Sequence, residues 1–243
     1  MKKIKVCAIV GVTHDNSNTV YFVSRFINIL KREIKCDVEY QSYNLNECGI
    51  LNCIGCYECL KMRECILEDS MEKLKRAMVE SDIILWATPA YMNGVSGIMK
   101  IFVDRLHSWT KLFYLRGKYG IVLSTSSHKV YDLYVKDYLG WIQISLGLIN
   151  IGAYNMCVDA PAELYSEDSD SIIQQYVRQT IINYKTNYCK ASQIHETMFE
   201  KLRDKIIALR RKNPNSELVK YWENSKLIDC EKFQIFLDSK TQE

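Results

Sequence analysis

The chain has 243 residues, enough for one large domain or two small ones. Apolar residues make up 48% and charged residues 25%, which excludes a disordered or fibrous chain. With 32 basic and 29 acidic residues the formal net charge is +3 and no basic arm stands out, so charge gives no case for a nucleic-acid partner.

Met1 to Cys7 is too briefly apolar for a signal peptide. Ile4 to Val10 is a short apolar run ending at Gly11, the pattern of a strand buried on both faces. A polar loop follows, and from Thr19 the residues Val20, Val23, Phe26, Ile27, Leu30 and Ile34 recur at helical spacing. Val38 to Tyr43 reads as a second strand. A cysteine-bearing loop, Cys48 to Cys65, precedes a helix expected from about Asp69 to Glu80. Ile83 to Ala87 is a third strand running into Thr88-Pro89, and a helix is expected over Val95 to Trp109. Tyr119 to Ser124 reads as a fourth strand, Tyr131 to Leu148 as a helix and Ile151 to Val158 as a fifth strand. A further helix is expected to begin near Asp170.

Strands alternating with helices imply a parallel sheet covered on both faces. Five strands over this length suit a flavodoxin-like doubly wound sheet of order 2-1-3-4-5, within an α/β unit spanning residues 1–189. Ligands of such sheets bind at the carboxyl ends of the strands. The uncharged run Tyr138 to Val158 is long enough to cross a membrane. Its Gln143, Asn150, Asn155 and three glycines favour a buried helix, turn and strand instead, and no membrane association is expected. From about residue 190 the pattern changes to a helical extension. Ile194, Met198, Leu202, Ile206 and Leu209 form one stripe, broken at Asn213-Pro214-Asn215-Ser216. A second apolar segment runs from Leu218 to Phe236. The extension is expected to cover its own domain or a partner subunit.

Two segments carry chemistry. The loop after the first strand contains Thr13, His14, Asn16, Ser17, Asn18 and Thr19. It lacks the G-x-G-x-x-G of a dinucleotide site. Its hydroxyls and amides, with the free N–H groups of the next helix, suit one terminal phosphate. Ser17 or Asn18 would equally serve as an ordinary helix cap. The second segment is Cys53, Cys56, Cys59 and Cys65, four of ten cysteines in the spacing C-x2-C-x2-C-x5-C. Overlapping thiols at this spacing favour a [4Fe–4S] cluster. Structural zinc more often takes two separated pairs, and metal-free redox cysteines are the third possibility. No serine–histidine–aspartate array or paired carboxylates are evident, so no catalytic acid or base is nominated.

The motifs taken together resemble those of the NADPH-dependent FMN reductase-like family, and within it the iron–sulfur flavoproteins. The matching features are the Gly11 to Thr19 loop, the cysteine run, Pro89 to Tyr91 leading into Gly97–Arg105, and Leu115-Arg116-Gly117-Lys118. The resemblance covers roughly residues 1 to 160. It implies FMN, with the phosphate near His14, Asn16, Ser17, Asn18 and Thr19. The ring would lie against Pro89, Ala90, Tyr91, Met92, Asn93 and Gly94, and Thr125, Ser126, Ser127 and His128 would close the other side. It also implies a cluster on the four cysteines, NAD(P)H as a possible reductant, a small-molecule or protein electron acceptor, and a homodimer or homotetramer. With clustered cysteines and a start too briefly apolar for a signal peptide, a reducing cytoplasm is the expected compartment. A cluster-free quinone or nitro-compound reductase and a non-enzymatic redox carrier or sensor stand as alternatives. Val12 and His14 depart from the family, which usually has a serine and a basic residue there.

Overall fold

A computed structural model describes residues 3–127, 132–158, 166–186 and 189–241. Its strands are β1 (Ile4–Val10), β2 (Val38–Asn44), β3 (Ile83–Tyr91), β4 (Gly94–Val95), β5 (Tyr119–Ser126) and β6 (Ile149–Cys157). Five of them are parallel in the order β2-β1-β3-β5-β6, the topology expected from the sequence. The two-residue β4 pairs antiparallel with the end of β3.

The central strands are buried on both faces, and all eight residues of β5 are buried. Side chains alternate between two cores, as the pleat requires. Val6, Ala8 and Val10 point to one face, which α1 (Asn18–Glu33) and α7 (Glu167–Thr186) cover. Cys7 and Ile9 point to the other, covered by α3 (Met71–Glu80), α4 (Gly97–Asp104) and α6 (Asp132–Ser145). Burial pushes the Cys7 thiol up to about 12, so this cysteine is an inert apolar residue.

Several boundaries differ from expectation. The cysteine loop contains a one-turn helix, α2 (Glu58–Met62). The helix expected over Val95 to Trp109 is two pieces, α4 and α5 (His107–Thr110), separated at Arg105-Leu106. The β3 strand extends to Tyr91, and a tight turn joins it to β4. Met92 and Asn93 in that turn both have positive φ, 50° and 62°, as a two-residue hairpin turn needs. After α6 the chain turns at Gly147, where φ is +90° and an added Cβ would lie 2.8 Å from the Arg116 Cα. This turn accounts for the uncharged run. Among the described residues no helix is long and apolar enough to cross a membrane.

The C-terminal helices are α8 (Gln193–Lys212), α9 (Glu217–Asn224) and α10 (Phe233–Thr241). Of the two coverings expected, the structure has the first: the helices fold onto their own domain. Phe199, Ile206, Val219, Trp222, Phe233 and Phe236 join the same core as β1 and α1. The buried face of α8 is His195, Phe199 and Ile206, one residue out of step with part of the expected stripe, and Ile194 is exposed. The contacts lie at the amino ends of the strands. The Trp222 indole donates to Lys111 O at 2.9 Å, Phe113 meets Phe199 and Phe233, and His195 Nε2 lies 3.0 Å from Leu148 O.

Candidate functional site

At the opposite, carboxyl end of the sheet lies an open cleft of about 300 Å³. Its walls come from three loops. The first supplies Val12, Thr13, His14, Asn16, Ser17, Asn18 and Thr19; the end of β3 supplies Pro89, Ala90 and Tyr91; the end of β5 supplies Thr125, Ser126 and Ser127, with Val158 beside them. The fold thus brings together twelve of the residues singled out from the sequence. Met92, Asn93 and Gly94 sit in the adjoining hairpin and not in the cleft lining, and His128 is outside the described residues.

Local chemistry fixes these walls. Ser17 caps α1, accepting the Val20 N–H at 3.2 Å, so its hydroxyl is already oriented at the positive end of the helix. The buried hydroxyls of Thr19 and Thr125 lie 2.7 Å apart and tie α1 to β5. Gly11 lets α4 approach the end of β1: an added Cβ would lie 2.7 Å from the Met99 Cβ, and Ser96 donates to Gly11 O at 2.6 Å. Asn44 Nδ2 donates to Asp15 Oδ1 at 2.9 Å, steadying the loop from β2. Asn155 is a supporting residue that sequence reasoning missed. It accepts from Ser124 at 2.9 Å and donates to Ser126 Oγ at 3.0 Å. An amide near the carboxyl end of a largely apolar strand was the available signal.

The donor set fits a flavin mononucleotide. Hydroxyls, amides and a helix N-terminus face one end, which suits a phosphate. Pro89, Ala90 and Tyr91 offer an apolar and aromatic wall at the other.

The four-cysteine loop lies along the α4–α5 face. Cys53 and Cys56 are exposed, Cys59 and Cys65 half-buried, and none of the four is in a disulfide. Gly55, Tyr57 and Arg63 take left-handed backbone conformations, which curl the loop around α2. Burial pushes the Cys59 thiol up, a hydrogen bond with Ser108 works against this, and the charges of Cys65, Cys53 and Cys56 add to the rise. Among the described residues, however, no three His, Cys, Asp or Glu side chains are grouped so that they could hold a metal ion. The donor set is chemically that of an iron–sulfur site; the loop's side chains are not drawn in around one. Cys48 stands apart, its thiol donating to Asn44 O at 3.1 Å.

Of the basic residues in the matching helix, Lys100 pairs with Asp104 at 2.5 Å on the surface. Arg105 turns inward to Asp69, also at 2.5 Å, with both side chains almost fully buried.

A family model described as NADPH-dependent FMN reductase matches residues 4–159. An iron-sulfur flavoprotein of Archaeoglobus fulgidus is 32% identical over 132 residues, 54% of this chain and 59% of that protein. The iron-sulfur flavoprotein MJ1083 of Methanocaldococcus jannaschii is 30% identical over 117 residues, 48% of this chain and 59% of that one. The chain thus spans about three-fifths of the length of these relatives. Among solved structures, the NAD(P)H:quinone oxidoreductase from Methanothermobacter marburgensis superposes with a TM-score of 0.57 at 15% identity, covering 76% of this chain and 97% of that one. At that identity the likeness speaks for the fold alone.

Proposed function

The chain belongs to the NADPH-dependent FMN reductase family, and from that premise we propose that it is an FMN-dependent oxidoreductase that also carries a [4Fe–4S] cluster. It would move electrons between NAD(P)H or a reduced carrier and a small-molecule or protein acceptor. The observation that carries this reading is the cleft at the strand ends, where a capped helix start faces an aromatic and apolar wall across a sheet switch point.

In this reading the chain's residues bind and orient while the flavin supplies the redox chemistry. Asn16, Ser17, Asn18 and Thr19 hold the phosphate at the positive end of α1, with Thr13 and His14 at the rim. Pro89, Ala90 and Tyr91 support the ring, and Thr125, Ser126 and Ser127, the second of these steadied by Asn155, bound its other side. Met92 to Gly94 continue that ring-side wall in the hairpin next to Tyr91. Cys53, Cys56, Cys59 and Cys65 would hold the cluster, which takes up and releases single electrons when bound. The names of the two curated relatives favour the cluster over a flavin-only reductase. A reducing cytoplasm is the compartment in which these thiols would persist. The assembly we expect is a homodimer or homotetramer, with the exposed Tyr134, Tyr138 and Trp141 of α6 as contact face; sedimentation of a monomer would contradict it.

The phosphate assignment is tested by placing carboxylates at the start of α1. Ser17→Glu combined with Asn18→Glu should weaken FMN binding at least tenfold, or ~1.4 kcal/mol, in a fluorescence titration. Unchanged binding would show that the phosphate lies elsewhere.

A further inference from the structure

Behind the cleft, the ends of β5 and β6 share a buried polar chain. Asn155 of β6 stands opposite Ser124 in the strand register, and Ser124, Ser126 and Asn155 are all buried. Ser124 Oγ donates to Asn155 Oδ1 at 2.9 Å, and Asn155 Nδ2 donates to Ser126 Oγ at 3.0 Å. The Tyr176 hydroxyl holds the backbone of the same residue, donating to Asn155 O at 3.1 Å. Ser124 decides which way round the amide lies. With the amide turned over, the Ser124 proton would be left with Tyr154 O at 3.5 Å. That is too long for an O–H···O bond, and a buried hydroxyl proton would go unmet.

The consequence is felt at Ser126, which lines the cleft. Its oxygen already accepts from Asn155, and among the described residues no acceptor takes its own proton. A hydroxyl has one proton and rotates to suit, so this one is left for the cleft. A second pair has the same imbalance. The hydroxyls of Thr19 and Thr125 lie 2.7 Å apart, and both residues line the cleft. One donates to the other, so one of their two protons is left over. This wall therefore offers hydroxyl protons and suits a ligand that presents acceptors to it.

We propose that Asn155 is a positioning residue that makes the Ser126 hydroxyl a fixed donor to the flavin ring. The ring would then meet the end of β5 with a carbonyl oxygen or a bare ring nitrogen, and not with its N–H edge. The inference rests on the flavin reading above. Ser126 touches the cofactor, and Asn155 acts through it. The ring's acceptor atoms are more electron-rich when the flavin is reduced, so a fixed donor holds the reduced form more tightly.

The test uses the full chain. FMN binding is followed by fluorescence titration, and the midpoint potential of bound FMN by dithionite titration against a reference dye. Ser126→Ala deletes the donor. Asn155→Asp is nearly isosteric, but its carboxylate only accepts, so it draws the Ser126 proton away from the cleft. Both variants should weaken FMN binding roughly three- to tenfold, the scale of one hydrogen bond. Reduced FMN should lose up to tenfold more affinity than oxidised FMN, which is ~30 mV downward for two electrons. A loss in only one variant, or in neither, overturns the inference and leaves the flavin site standing. Should Asn155→Asp fail to fold, Asn155→Ala takes its place under the same criterion. A wild-type chain that binds no FMN overturns the flavin reading and this inference together.

Discussion

The cysteine loop and the C-terminal helices are both additions to the same sheet, and they are held by opposite means. Residues 51–57 of the loop are all exposed, and the segment depends on the directional contacts of one buried ion pair, Asp69 with Arg105. The helices depend on apolar burial: Phe199, Trp222 and Phe233 have no exposed surface and their rings pack against one another and against Phe113. Hydrogen bonds serve there as adjustments, as where Glu196 accepts the N–H groups of Phe233 and Gln234 at the start of α10. Apolar burial makes a rigid support and leaves nothing accessible. A loop hung on a few polar contacts keeps its thiols open to a ligand. The two regions meet where Arg63, at the end of α2, reaches Glu217 at 3.6 Å and the ring of Tyr221.

The contrast is broken most forcibly from the side of the helices. Trp222→Ala should lower stability by about 3–5 kcal/mol, the range for a buried large aromatic, measured by denaturant unfolding. FMN should still bind, because the contacts of α9 lie away from the cleft. A loss below ~1 kcal/mol would mean that the helices are not part of the core.

Asp69→Asn should cost somewhat less, about 3 kcal/mol, because it leaves the Arg105 charge buried without its counter-charge. Its local effect should be the larger one. With Leu51 and Arg105 both released, limited proteolysis should cut between residues 48 and 69 well before the rest of the chain. Equal protection of the loop in mutant and wild type would remove the ion pair from its anchoring role.

The smallest effect belongs to a pH dependence. Burial holds the His195 imidazole below its ordinary value of 6.5, with the hydrogen bond to Leu148 O and the charge of Glu196 working against this. The unfolded chain therefore takes up the proton first. The stability associated with His195 is complete above about pH 6.5 and declines as pH falls below it, levelling out beneath the folded-state value. His195→Gln should flatten that part of the stability curve. An equally sloped curve in the variant would assign the dependence to another group.

Much of the sheet was legible because its strands are continuous apolar runs between turn residues, and the cleft followed from knowing that ligands gather at strand ends. Three features were not legible, each for a physical reason. The break between α4 and α5 is hidden because Ile98, Ile101, Phe102 and Leu106 continue a helical spacing across it. The inward face of α8 was set partly out of register because His195 counts as polar in a sequence, whereas its ring nitrogens are satisfied by Ser192 and Leu148 and its ring stacks on Phe233. The partnership of Asp69 with Arg105 joins residues far apart in the chain, and no local pattern announces it. The cysteine spacing was plain; the way Arg105 and Asp69 hold the backbone of Leu51 was not.

The central claim is that one chain carries both a flavin at the strand ends and a cluster on the loop. Its most direct test is the composition of protein purified without oxygen: FMN, iron and acid-labile sulfide per chain. The account predicts about one FMN with about four iron and four sulfide, and loss of the iron but not the FMN in Cys56→Ala. FMN without iron or sulfide would contradict it and leave a flavin-only reductase in its place.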